Sequence, residues 1–184
     1  EAIAVSSDEY FYQVGGGYMD QPGLGIDRIN TYASMFGFGS TTNIDIPGEE
    51  YGIIPSQAWK KKVFGEDWVL GNTYHTAIGQ YGFQLTPLEL IRGIASIANG
   101  GVLVTPHVFS GLETEQTNLP VKESDLKIIK EGMRQGVLEG TGRVLNISGV
   151  DIASKSGTAE LGVKKDKINS WITGFFPYEN PTYA

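Results

Sequence analysis

The chain has 184 residues with 14 basic and 21 acidic side chains, a net charge of −7, 40% hydrophobic residues, 25 glycines and no cysteine. Such a chain builds one globular, loop-rich domain, and its acidic balance with no basic stripe excludes a nucleic-acid partner, which needs clustered Lys and Arg. Without cysteine there are no disulfides, thiolate nucleophiles or cysteine-based zinc sites, and His75 and His107 stand 32 positions apart with no carboxylate at ligating spacing, so neither a metal nor a cofactor is expected.

Along the chain, "AIAVSSDEYFYQV" carries Ile3, Val5, Tyr10, Phe11 and Val14 in a mixed pattern that predicts one partly buried helix, ended by Gly15-Gly16-Gly17. A second helix is predicted over 26–36, with Ile29, Ala33 and Phe36 on one face and Gly37 as its stop. Residues 39–72 show no period and are read as irregular, with turns at Pro47-Gly48 and Gly65. Thr86 then caps a helix whose first position is Pro87, with Leu90, Ile94, Ile97 and Ala98 turned inward. After Gly100-Gly101, "VLVTPHVF" reads as a strand interrupted by Pro106. Ser124 is expected to cap a helix through Leu138 with Leu126, Ile129, Met133 and Val137 as its inward stripe. Two strands close the chain, "DIASKSGTAE" and "SWITGFFPY". No apolar run reaches the ~18 residues of a membrane span; "LIRGIASIANGGVLV" is broken by Arg92 and Gly100-Gly101, and "EAIAVSSDEY" lacks the basic start of a signal peptide.

The glycine-rich stretches "VGGGYMDQ", "GLGIDR" and "GFGSTT" miss the G-x-G-x-x-G spacing and the Lys-Ser/Thr ending of a phosphate loop. No G-x-S-x-G elbow supports a Ser-His-Asp triad. A serine can instead be activated by a lysine whose pKa is depressed by burial or by neighbouring cations. The signature of that chemistry in penicillin-recognising enzymes is S-x-x-K, then S-D-N, then K-T-G. Ser6-Ser7-Asp8 fits the second element and Lys155-Ser156-Gly157 the third, in the right order and with helices between them. Taken alone, the first is an ordinary helix turn and the second a solvated strand.

The flanks decide between these readings. "IGQYGFQLTPLELIRGIASIANGG", "EGTGRVL" and "KSGTAE…SWITGFFP" resemble the corresponding segments of penicillin-binding protein transpeptidases. "SSDEYFYQVG", "GIDRINTYASMFGFG" and "PSQAWKKKVFGEDW" resemble the elongation-specific class of that family, so the resemblance runs through the whole chain. It implies an α/β fold of α+β type, the penicillin-binding transpeptidase and serine β-lactamase-like fold, with an antiparallel sheet flanked by helices. The chain is expected to be a partial transpeptidase domain over 1–184, cut at both ends. The implied activity is a peptidoglycan D,D-transpeptidase that cross-links stem peptides through a serine acyl-enzyme and is acylated by β-lactams. A β-lactamase or penicillin sensor of the same superfamily, and a non-catalytic scaffold of wall synthesis, are the alternatives.

Carried over to these residues, the resemblance makes Ser6, Asp8 and Lys155 catalytic and Ser156, Gly157 and Thr158 substrate-binding. Ser6 relays a proton, Lys155 holds Ser6 and favours the substrate carboxylate, Ser156 and Thr158 hydrogen-bond that carboxylate, and the Thr158 N–H serves the oxyanion hole. Gly157 lets the substrate backbone lie close. Asp8 stands where asparagine is more widespread; an ionised aspartate only accepts hydrogen bonds, so the amide donor is missing there. Gly82 falls one place later than the usual G-Q-G. The first motif is expected ahead of Ser6. The one S-x-x-K present, Ser124-Asp125-Leu126-Lys127, follows the second motif instead of preceding it, so this chain alone is expected to be inactive. The resemblance further implies stem peptides and β-lactams as ligands, a membrane anchor and a glycan-polymerising partner in the complete protein, and a place at the outer face of the bacterial cytoplasmic membrane, in the periplasm.

Overall fold

Ile3, Val5, Tyr10, Phe11 and Val14 belong to two helices rather than one. The computed structural model describes residues 1–162 and 167–184, and in it α1 (Ala2–Val5) stops at Ser6 and α2 (Asp8–Gly16) starts afresh. Ser6 adopts left-handed backbone angles, φ 56° and ψ 52°. Ser7 then caps the new helix by accepting the Tyr10 N–H at 3.3 Å, the role for which serine is favoured. The glycine run ends α2 at its last member: Gly17 is the C-cap, with φ 87°, while Gly15 and Gly16 still lie within the helix, where Cβ atoms would overlap the Ala77 methyl and the Tyr74 ring.

A short hairpin follows, β1 (Gly17–Tyr18) and β2 (Gln21–Pro22), and then α3 (Gly25–Met35), α4 (Gln57–Phe64), α5 (Leu70–Ala77) and α6 (Pro87–Ala98). Helix α4 lies inside the segment read as irregular, and α5 begins at its end. The strand expected after Gly101 is shorter than its apolar run: β3 (Val102–Val104) pairs antiparallel with β4 (Gln116–Asn118). Helix α7 (Glu123–Leu138) precedes the long hairpin of β5 (Ala153–Leu161) and β6 (Lys167–Phe175), paired antiparallel with Lys155 opposite Thr173 and Gly157 opposite Trp171. Ser124 does not cap α7. The helix begins one residue earlier, the Asp125 and Leu126 amides donate to the Lys122 carbonyl, and the Ser124 hydroxyl is exposed at 3.3 Å from Asp125 Oδ1.

The core lies where α6, α7 and the hairpin meet: Ile94 and Ala98 of α6, Met133 of α7, Ala153 of β5 and Phe175 of β6, with Ile3 of α1 packed against them. Helix α1 is thereby pressed onto α7, whose Gly132 lies under Ile3 and whose Gly136 lies under Ala4 and Ser154. The segments that carry Ser6 and Lys155 thus share one packing partner.

The loops are fixed by a buried carboxylate. Thr86 accepts the Glu89 N–H at 3.1 Å and Glu89 Oε2 accepts the Thr86 N–H at 2.7 Å, a capping box. The same glutamate also accepts the Gly39 N–H at 2.8 Å and the Gly52 N–H at 2.9 Å, while fully buried. Glu89→Ala is expected to lower stability by roughly 3 kcal/mol or more, since three backbone donors lose their acceptor, against about 1 kcal/mol for Thr86→Ala. Urea denaturation of the two variants measures the difference.

Candidate active site

The left-handed turn at Ser6 aims its hydroxyl at β5, where Lys155 Nζ donates to Ser6 Oγ at 2.7 Å and to the Ser156 carbonyl at 2.5 Å. A non-glycine residue in this backbone region carries strain of about 1–3 kcal/mol. The strain is held by bonds on both sides: the Ser6 N–H donates to Ile3 O at 3.3 Å and the Ser7 N–H to Ala2 O at 3.0 Å.

Lys155 is half-buried. Burial pushes its pKa below the ordinary 10.5, and the Asp8 carboxylate offsets part of that shift. Asp8 is exposed in the first turn of α2. The lysine is thus poorly hydrated, which strengthens any attraction its charged form exerts on an anion.

Beside this pair opens a cleft of about 560 Å³ lined by Asp8, Tyr12, His75, Gln80, Tyr81 and Thr158, among others. Its walls come from α2, from α5 and the turn after it, and from the outer half of β5. Gln80 Nε2 reaches across to the Thr158 carbonyl at 3.4 Å. Thr158 and Gly157 are exposed. A Cβ at Gly157 would meet nothing closer than Trp171 Cβ at 3.6 Å, an ordinary contact. The contacts of the fold do not require glycine there. Among the described residues β5 pairs only with β6, which leaves its other edge free to accept an extended peptide.

Of the residues singled out in the sequence, the structure brings Ser6, Asp8, Lys155, Ser156 and Thr158 to one region. It keeps Ser124 away: that residue stands twelve positions before Gly136, the α7 residue under Ser154, and so about 18 Å along the helix axis. Sequence reasoning missed Thr141, whose Oγ1 lies 2.6 Å from Ser156 Oγ. It also left aside His75, which lines the cleft and meets the Tyr12 ring edge-on. The "EGTGRVL" stretch was the available signal for Thr141, quoted for its likeness but not for a contact. Trp59 and Trp68 both pack edge-on against Tyr81, and Trp171 is exposed on β6. Among the described residues no three His, Asp or Glu side chains gather as a metal site, and no helix is long and apolar enough to cross a membrane.

The profile of the penicillin binding protein transpeptidase domain matches residues 1–184. The chain belongs to that family. The peptidoglycan D,D-transpeptidase MrdA of Salmonella typhimurium is 31% identical over 212 residues, covering 100% of this chain and 33% of the relative. MrdA of Haemophilus influenzae is 33% identical over 208 residues, covering 98% and 31%. Among solved structures, PBP2 in complex with MreC from Helicobacter pylori superposes with a TM-score of 0.86 at 34% identity, over 99% of this chain and 34% of that one. PBP2 of Pseudomonas aeruginosa in complex with WCK 5153 gives 0.83 at 33% identity, over 98% and 41%. The chain therefore has the penicillin-binding transpeptidase fold, is similar to its PBP2-type members, and spans about a third of the length of the curated relatives it matches.

Two outcomes are expected from this geometry. Ser6→Gly relieves the left-handed strain and leaves thermal stability equal or higher, while removing the hydroxyl that Lys155 holds; a melt lower than wild type would contradict this. Lys155 binds fewer protons folded than unfolded in the interval between its depressed pKa and 10.5, so stability rises with pH there. Wild type should accordingly gain stability relative to Lys155→Met as pH climbs toward 10.5, by chemical denaturation at a series of pH values.

Proposed function

We propose that this chain is part of a peptidoglycan D,D-transpeptidase of the elongation-specific type, one that cross-links stem peptides through a serine acyl-enzyme and is acylated by β-lactams. The observation that carries the reading is the 2.7 Å contact between Ser6 and Lys155 at the rim of a cleft whose wall is the free-edged strand β5. The full match to the transpeptidase family supports it.

In this reading the stem peptide lies along β5 with its terminal carboxylate toward Lys155, Ser156 and Thr158. The nucleophile comes from an S-x-x-K ahead of Ser6, since Ser124 of the sequence's one such motif stands about 18 Å down α7 from the strand. Attack on the substrate carbonyl builds negative charge on its oxygen, which the Thr158 N–H stabilises. Ser6 passes a proton toward the departing amine, and Lys155 holds the Ser6 oxygen in place while its charge favours the anionic substrate. A second stem peptide's amine then releases the acyl group. Asp8 tunes Lys155 by its charge, and Gly157 admits the substrate backbone. By this account residues 1–184 orient a substrate without an attacking atom and are not acylated on their own.

The relatives extend the proposal to the complete protein: a membrane-anchored enzyme at the outer face of the cytoplasmic membrane, in the periplasm. A neighbouring structure is described as coordinating polymerisation and crosslinking in a peptidoglycan synthase complex, and another as a complex with MreC. We assign the complete protein a glycan-polymerising partner on that ground.

Labelling the complete, folded protein with a fluorescent penicillin tests the reading. A stable covalent adduct is expected, and Lys155→Ala should slow its formation by about 10²–10³. No adduct would refute the activity, rapid release of hydrolysed drug would indicate a β-lactamase, and a loss of only a few-fold in the variant would refute the role of Lys155.

A further inference from the structure

The turn after α7 touches both halves of the site. The Thr141 N–H donates to the Ala4 carbonyl at 3.2 Å, two residues before Ser6. Gly140 lies so close to the same carbonyl that a Cβ would overlap it, and a Cβ on Gly142 would come within 2.7 Å of Ser154 Oγ. The turn is therefore wedged between α1 and β5, and from that seat the Thr141 hydroxyl meets Ser156 Oγ at 2.6 Å.

The proton count of this pair has a consequence. Each hydroxyl carries one donor, so two protons are present and the contact between them uses one. Whichever way that bond runs, one O–H stays available. Thr141 is exposed and Ser156 half-buried, so the pair reaches the surface beside Lys155, whose Nζ is bound to the Ser156 carbonyl. A carboxylate can only accept hydrogen bonds, and a donor that is itself receiving one is polarised and strengthened.

We propose that Thr141 is a positioning residue for carboxylate recognition: its O–H donates to Ser156 Oγ, a two-hydroxyl relay that leaves the Ser156 O–H for the terminal carboxylate of the stem peptide, or for the matching carboxylate of a penicillin. The inference rests on the transpeptidase reading above. It adds a hydroxyl that acts through Ser156, from a segment outside the K-S-G strand. The competing role is mechanical, with Thr141 merely tying the turn to the strand.

Acylation rates of the complete protein by a penicillin and by its carboxylate methyl ester separate these roles. Thr141→Val keeps the shape and the backbone bond to Ala4 but has no hydroxyl. It should acylate about tenfold more slowly with the free acid, while the slow reaction with the ester changes by less than about twofold. Thr141→Ser should restore the free-acid rate. Because Thr141 acts through Ser156, adding Thr141→Val to Ser156→Ala should cost little more than Ser156→Ala alone. Equal losses with acid and ester, failure of Thr141→Ser to restore the rate, or additive losses in the double variant would overturn the relay. A wild-type protein that no penicillin acylates would instead refute the functional reading, and the relay with it.

Discussion

A lysine withdrawn from water and set against a serine hydroxyl costs stability wherever it occurs, and here the surrounding chain is organised to impose that contact. Lys155 reaches Ser6 because the chain breaks between α1 and α2, and the break holds Ser6 in a conformation that serine avoids. Each side of the contact is anchored to the same helix. Ile3 and Ala4 pack on Gly132 and Gly136 of α7, and Ser154 packs on Gly136 from the other side. Two motifs separated by 149 residues in sequence are in this way positioned by one rigid element.

Carboxylates that gather distant backbone donors fix the loops around that centre. Glu89 joins the start of α6 to Gly39 and Gly52. Asp45 accepts the Val108 and Phe109 amides at 2.7 and 2.8 Å. Burial acts to raise the pKa of Glu49, but the Thr42 hydroxyl and the Thr42 and Asn43 amides outweigh it and hold the carboxyl below its ordinary value. Asp45 and Glu49 stabilise the fold while ionised, and their contribution fades as pH falls through their depressed folded-state pKa values. Helical scaffold and ionic loop ties together leave β5, among the described residues, with no strand but β6 beside it and an open cleft along it.

What the sequence revealed depended on which residues face inward. Helices α6 and α7 bury apolar stripes, and β5 and β6 carry buried Ala153 and Phe175 at one end, so all four were located to within a few residues, α6 by its Thr86 cap as well. Helices α4 and α5 were missed because they bury polar side chains. Lys60, Asn72, Thr73 and Thr76 are all buried, which erases the apolar period. Their needs are met internally: Lys60 Nζ donates to Asn72 Oδ1 at 2.9 Å, Trp68 Nε1 to Thr73 Oγ1 at 2.8 Å and Thr76 Oγ1 to the Asn72 carbonyl at 2.8 Å. The Ser56 cap was a visible signal for the start of α4, and Gly65, read as a turn, is its left-handed stop. The break at Ser6 was hidden for another reason: a left-handed serine leaves no mark in composition, and only the distant Lys155 gives it a use. Family likeness located the motif residues themselves, whereas the Thr141 contact exists only in three dimensions.

The ionisation of Lys155 tests the central contact most directly. With the side chain isotopically labelled, NMR titration of the lysine should give a pKa below the ordinary 10.5, and Asp8→Asn should lower it further by removing the one carboxylate that opposes the effect of burial. A lysine titrating at or above 10.5, or one that ignores the loss of the Asp8 charge, would mean that Lys155 is solvated and is not held against Ser6.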